Sequence, residues 1–267
     1  MLASFRKSLL DRLVLKPTRH PIDNPEQLKK IVTLAGESIE IFVQRNFIQE
    51  KPPELLVLKF PGTAGRGERS SSFPMSGVPD IRTEIWTWNP PGYGGSSGKA
   101  KLPTIAELAG HFWHLAKDEM PHDVTFWLLG NSLGCLSALN IASQVDIPDK
   151  KRIGLILRNP PSLIPVVENV AARYRLKSLI QPIANSLCDS MNAMLTAPQC
   201  TSPAIFLQSE CDTLVPAWIQ DQIIQVYGGT HKKVILKGLG HDDKITNLHH
   251  ESIDCALSWI RSHTGID

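Results

Sequence analysis

The chain has 267 residues, 42% of them hydrophobic and 20% charged, a globular composition at a length that suits one α/β domain with a large buried core. The formal net charge is +2, and without a dense Lys/Arg block this argues against nucleic acid as a partner. Five cysteines (Cys135, Cys188, Cys200, Cys211 and Cys255) form no Cys-x-x-Cys pair, so neither a disulfide framework nor a zinc ribbon is expected, and a reducing, cytoplasmic compartment is the simpler reading.

Leu2, Phe5, Leu9 and Leu13 recur at helical spacing, with Arg6, Lys7 and Arg12 off that stripe. The pattern predicts a short amphipathic helix. The charges interrupt any apolar run, so no signal peptide is expected, and no later run reaches membrane-spanning length. The helix is expected to dock on the main domain, with weak peripheral membrane contact through residues 1–16 as the alternative. Pro17, Pro21 and Pro25 then mark an irregular link. Residues 1–25 therefore read as helix plus linker, and 26–267 as a single domain.

Lys30–Leu34 and Ile39–Gln44 read as two short strands around a tight turn. Glu54–Phe60 is an apolar run stopped by Pro61-Gly62 and reads as a buried strand. Arg82–Trp88 alternates and ends at Asn89-Pro90. Ile105–Met120 has helical periodicity, Asp123–Leu129 is a strand, and Leu133–Val145 is a buried helix of small and apolar residues. Strands at Arg152–Leu157, Ala204–Gln208 and Lys233–Leu236 follow, with helices at Ala217–Val226 and Glu251–Arg261. This alternation predicts an α/β fold with a mostly parallel sheet covered on both faces. Residues 161–200 break the rhythm. Leu176, Leu179, Ile180, Ile183 and Leu187 predict helices there, as a cap inserted between two strands.

Gly130-Asn131-Ser132-Leu133-Gly134 is a G-x-S-x-G match. Alone it is a modest signal; after a buried strand and before a helix it is a specific one. A sharp strand-to-helix turn lifts a serine oxygen clear of the sheet and aims helix N–H groups at developing negative charge. The bland alternative is a turn with a helix cap. A serine needs a base. His241, in Gly238-Leu239-Gly240-His241-Asp242-Asp243 after a late strand, is the candidate. His249 and His250 compete from the entry to the last helix. Asp212, in the loop after Ala204–Gln208, is the expected carboxylate, with Glu210 as its rival. The order Ser132, Asp212, His241 is a workable one for nucleophile, acid and base.

With these residues in place, the chain resembles the α/β-hydrolase superfamily of serine esterases and lipases from about Lys30 to the last helix. The resemblance rests on GNSLG, SECDTLVP, GLGHDD and WNPPGYGGSSG, and on Arg158-Asn159-Pro160-Pro161 after the sixth strand. It implies an oxyanion hole from the N–H of Leu133 and, because Phe60-Pro61-Gly62-Thr63 is similar to the His-Gly-x segment of the family, from the N–H of Thr63. Pro61 departs from the histidine common there. Pro61 and Tyr93 are pocket candidates, Tyr93 as a wall of the acyl pocket or as a packed loop residue.

Other readings fail on spacing. Gly92–Lys99 lacks the glycine and the Ser/Thr of a phosphate loop. His111 and His114 have i, i+3 spacing, but a solvated helix face explains them better than a metal. No cofactor and no metal are implied. The expected function is cleavage of a carboxylic ester or thioester, on a small-molecule or lipid acyl substrate, through an acyl-enzyme. An amide hydrolase or acyltransferase with the same residues is the nearest alternative, and a non-catalytic binding module is a more distant one.

Overall fold

The structure, a computed structural model, describes residues 2–24, 27–48, 51–145 and 152–266. The expected boundary between residues 25 and 26, with Pro25, lies outside them. Among the described residues eight strands form one sheet: β1 (Leu28–Leu34), β2 (Glu37–Arg45), β3 (Leu55–Phe60), β4 (Thr83–Trp88), β5 (Thr125–Asn131), β6 (Ile153–Arg158), β7 (Ala204–Ser209) and β8 (His231–Leu236). Their spatial order is β1-β2-β4-β3-β5-β6-β7-β8. Only the β1–β2 and β2–β4 pairs are antiparallel; the rest run parallel.

The helices are α1 (Leu2–Val14), α2 (Leu102–Glu119), α3 (Gly134–Gln144), α4 (Leu163–Arg173), α5 (Lys177–Ala184), α6 (Ala193–Thr196), α7 (Ala217–Val226) and α8 (His250–Thr264). Two apolar clusters fill the two sides of the sheet. One gathers Phe60, Trp88, Phe112 and Leu136 under α2 and α3. The other gathers Leu129, Ile156, Leu207 and Ile260 under α8. Both faces of the central strands are therefore covered, which is why β3 is an unbroken run of buried residues. The alternation expected in β4 does not expose one face. All six of its residues are buried, because its polar members have partners: Glu84 accepts from Arg45 and from Trp86 Nε1, and Thr87 donates to Ser70 Oγ at 2.8 Å.

The insertion between β6 and β7 holds α4, α5 and α6, with α5 beside α1. The expected stripe of α1 is not the buried one. Leu10 and Val14 are buried, while Leu2, Phe5 and Leu13 are exposed. The stretch after α1 is tied to the domain. The Lys16 N–H donates to the Thr63 carbonyl at 3.2 Å, the Gly94 N–H donates to the Thr18 carbonyl at 2.9 Å, and Arg19 donates to the Gly92 and Gly98 carbonyls.

Candidate active site

The carboxyl ends of the parallel strands converge on one edge, where ligands bind in open α/β sheets. β5 runs straight into the turn that carries Ser132, and α3 starts two residues later. Ser132 has φ +50°, a left-handed conformation that costs a serine about 1–2 kcal/mol. Neighbouring bonds hold it there. Its N–H donates to the Arg158 carbonyl at 2.8 Å, and its carbonyl accepts from the Cys135 N–H at 2.9 Å. Gly134 is required by close approach, since a Cβ there would lie 1.9 Å from the Phe60 carbonyl oxygen. Helix α3 thus packs directly against the end of β3.

Ser132 Oγ lies 2.9 Å from His241 Nε2. His241 Nδ1 lies 2.6 Å from Asp212 Oδ2. Asp212 is buried, and its other oxygen, Oδ1, accepts the N–H groups of Leu214 and Val215 at 2.9 and 2.8 Å. Both carboxylate oxygens are occupied, so the side chain has one orientation. Serine, imidazole and carboxylate form one hydrogen-bonded chain across the ends of β5, β8 and β7. The rivals are engaged elsewhere. Glu210 is exposed and accepts the Gly238 N–H. His249 caps the turn before α8 and bonds the Lys237 carbonyl oxygen at 2.9 Å. His250 begins α8, and His111 and His114 are exposed on α2. Among the described residues no cluster of three or more His, Cys, Asp or Glu side chains could hold a metal.

The loop after β3 abuts the serine. A side chain at Gly62 would come 3.1 Å from the Asn131 carbonyl oxygen and 3.3 Å from Ser132 Cβ. The peptide bearing the Thr63 N–H is fixed through its other end, because the Gly62 carbonyl accepts the Gly65 N–H at 2.9 Å. The following peptide is fixed too. The Thr63 carbonyl accepts from Tyr93 Oη at 2.7 Å as well as from Lys16. Tyr93 is fully buried, and burial pushes its phenol up to about 12. It braces this loop from behind, in keeping with the second of its two expected roles, a packed loop residue. Pro61 lines a neighbouring cavity. Cys135, one turn past the serine, is buried and donates to the Arg158 carbonyl. Burial drives its thiol far above the usual range.

One residue at this edge carries more than the sequence indicated. Asn159 follows β6, is fully buried and has φ +50°. Its Nδ2 donates to Ser209 Oγ at 3.0 Å and to the His241 carbonyl at 3.3 Å, and its Oδ1 accepts the Ser209 N–H at 2.8 Å. It ties the ends of β6 and β7 to the histidine loop. The one available signal was its place before Pro160.

The overall architecture matches solved structures throughout. An esterase of Pyrococcus furiosus superposes with a TM-score of 0.66 at 15% identity, covering 94% of this chain and 98% of its own. The α/β hydrolase GrgF from a Penicillium species gives 0.67 at 14% identity, with 90% and 99% covered. This chain has the α/β-hydrolase fold. Acetyl xylan esterase 1 from a Thermoanaerobacterium species gives 0.65 at 10% identity, with 98% and 93% covered. No family model matches the chain, and no curated protein matches it in sequence.

Proposed function

We propose that this α/β-hydrolase-fold protein is a serine hydrolase that cleaves a carboxylic ester or thioester through an acyl-enzyme. The observation that carries this reading is the hydrogen-bonded chain Ser132–His241–Asp212 with the serine on a left-handed turn. Ser132 Oγ attacks the carbonyl carbon while His241 Nε2 accepts its proton. Asp212 holds Nδ1–H and stabilises the imidazolium, remaining ionised. The N–H groups of Leu133 and Thr63 stabilise the oxyanion. His241 returns the proton to the leaving group, and water then takes the place of Ser132 in a second, mirrored step. The esterase neighbours support ester cleavage at the level of fold. Amide cleavage and acyl transfer would use the same residues; a substrate panel separates them.

Ser132→Ala is expected to lower kcat/KM for p-nitrophenyl acetate by about 10⁴-fold or more, with an unchanged circular dichroism spectrum. Retained hydrolysis would remove the assignment. The free cysteines support a reducing, cytoplasmic setting, and among the described residues no helix is long and apolar enough to cross a membrane.

A second reading is favoured by the exposure of Leu2, Phe5 and Leu13 on α1, next to Arg6, Lys7 and Arg12. Such a face suits shallow contact with an anionic lipid surface and a lipid acyl substrate. Phe5→Ser with Leu13→Ser is expected to reduce sedimentation with phosphatidylserine vesicles severalfold. Equal partitioning of wild type and variant counts against it.

A further inference from the structure

A cavity of about 670 Å³ lies under the carboxyl ends of the central strands, between the loop that follows β3 and helix α8. Its volume is in the range of small-molecule sites. None of Ser132, Asp212 and His241 lines it. Asn131 and Pro61 do, so it adjoins the serine turn and the Gly62 loop from the far side. β3 and β5 are neighbours in space, and the chain crosses between them to the opposite half of the sheet. The cavity therefore sits at the point where strand order reverses, a preferred place for a ligand.

Its lining is apolar below and cationic around. Leu129, Phe73 and Ile245 offer apolar surface on the sheet face that also carries α8, beside the fully buried Ile156 and Leu207. Among the lining residues Lys59, Arg69, Arg158 and Lys244 supply positive charge against one carboxylate, Asp254, Arg66 being paired with Glu68, while Asp242, Asp212 and Asp243 act on Arg158 from outside the lining. Lys59 is buried on β3, and among the described residues its ammonium donates only to the carbonyls of Ser71 and Phe73, at 2.8 and 2.9 Å. An ammonium has three N–H groups, so one remains for a further acceptor. Burial without a carboxylate pushes this lysine down to about 7, a cost that an anion beside it would offset. Arg158 donates from Nη2 to the Asp243 carbonyl, while its Nε is buried with no partner among the described residues. A buried guanidinium N–H left unpaired is uncommon and calls for an acceptor.

We propose that this cavity is a binding site for an amphiphilic carboxylate, a molecule with an apolar body and one anionic end. The body lies on Leu129, Phe73 and Ile245, and the carboxylate accepts from Lys59 and Arg158. Ser132 does not line the site, which touches the serine turn through Arg158, whose carbonyl accepts the Ser132 N–H, and the proposal does not depend on the hydrolase reading.

Calorimetric titration of the full chain with octanoate, 1-octanol and inorganic phosphate tests it. Octanoate is expected to bind one to one, with octanol and phosphate each at least about tenfold weaker. Lys59→Met and, independently, the exposed Lys244→Glu are each expected to weaken octanoate about tenfold and to leave octanol unchanged. Ser132→Ala, or wild-type protein labelled at Ser132 by a fluorophosphonate, is expected to bind octanoate as before. The proposal is overturned if octanol or phosphate binds as tightly as octanoate. It is overturned equally if both lysine variants bind octanoate like wild type, or if blocking Ser132 abolishes binding.

Discussion

Two residues at the strand ends, Ser132 and Asn159, are held at φ +50°, where L side chains are strained. For Ser132 the strain projects the oxygen toward His241. For Asn159 it lets one amide serve Ser209 and His241 together. Asn159 is therefore a positioning residue on the proposed reading. Asn159→Gly tolerates the backbone but removes the amide. It is expected to lower kcat about tenfold or more with little change in KM. Asn159→Ala should lose, in addition, about 1–2 kcal/mol of stability from the left-handed backbone. A wild-type kcat in the glycine variant would show that the amide does not position His241. At this scale the sequence was readable where a residue type and its local surroundings are enough. Ser132 sits in a compact motif, and His241 and Asp212 each follow a strand. Asn159 was not readable, because its partners lie 50 and 82 positions away. The two roles open to Tyr93 could not be separated for a similar reason: its hydroxyl meets Thr63, 30 positions earlier.

Among the elements, α1 shows how a correct helix can carry a misassigned face. Its sequence holds two apolar lines, Leu2-Phe5-Leu9-Leu13 and Leu10-Val14, and periodicity favours the longer. Packing favours the shorter, because the helix is fixed by bonds outside itself. Asp11 Oδ1 accepts the Leu102 N–H at 2.9 Å, at the start of α2, whose own N-cap position, Lys101, provides no side-chain cap. α1 thus satisfies one of the free amide groups of another helix. Asp11→Ala is expected to cost about 1 kcal/mol in urea unfolding, while Asp11→Asn, which keeps an acceptor, should cost less. Equal losses would point to charge rather than capping. By contrast, the strands of the second half could be placed from sequence to within two residues, because apolar runs stopped by Gly or Pro have few other uses.

The whole molecule follows the alternation of strands and helices that the sequence displays. The order of the strands was hidden. That β2 pairs with β4 rather than β3 depends on burial on both faces, which no local pattern encodes. The cationic cavity was hidden too, since five strand ends and two distant loops build it. One continuous apolar cluster includes Leu10 and Val14 of α1, Leu163, Met191 and Ala193 of the cap, and the centre of the sheet. Heat should therefore melt cap, arm and sheet in one calorimetric transition; an earlier separate peak that disappears on deleting the cap would contradict this. The hydrogen-bonded chain at the strand ends has one more consequence, for synthesis. Ser132 meets a histidine that lies 109 positions later, so the nucleophile is synthesised well before its base. Until then the serine on the growing chain is harmless, and the proposed chemistry switches on only when the His241 loop has been made and has folded back onto the serine turn.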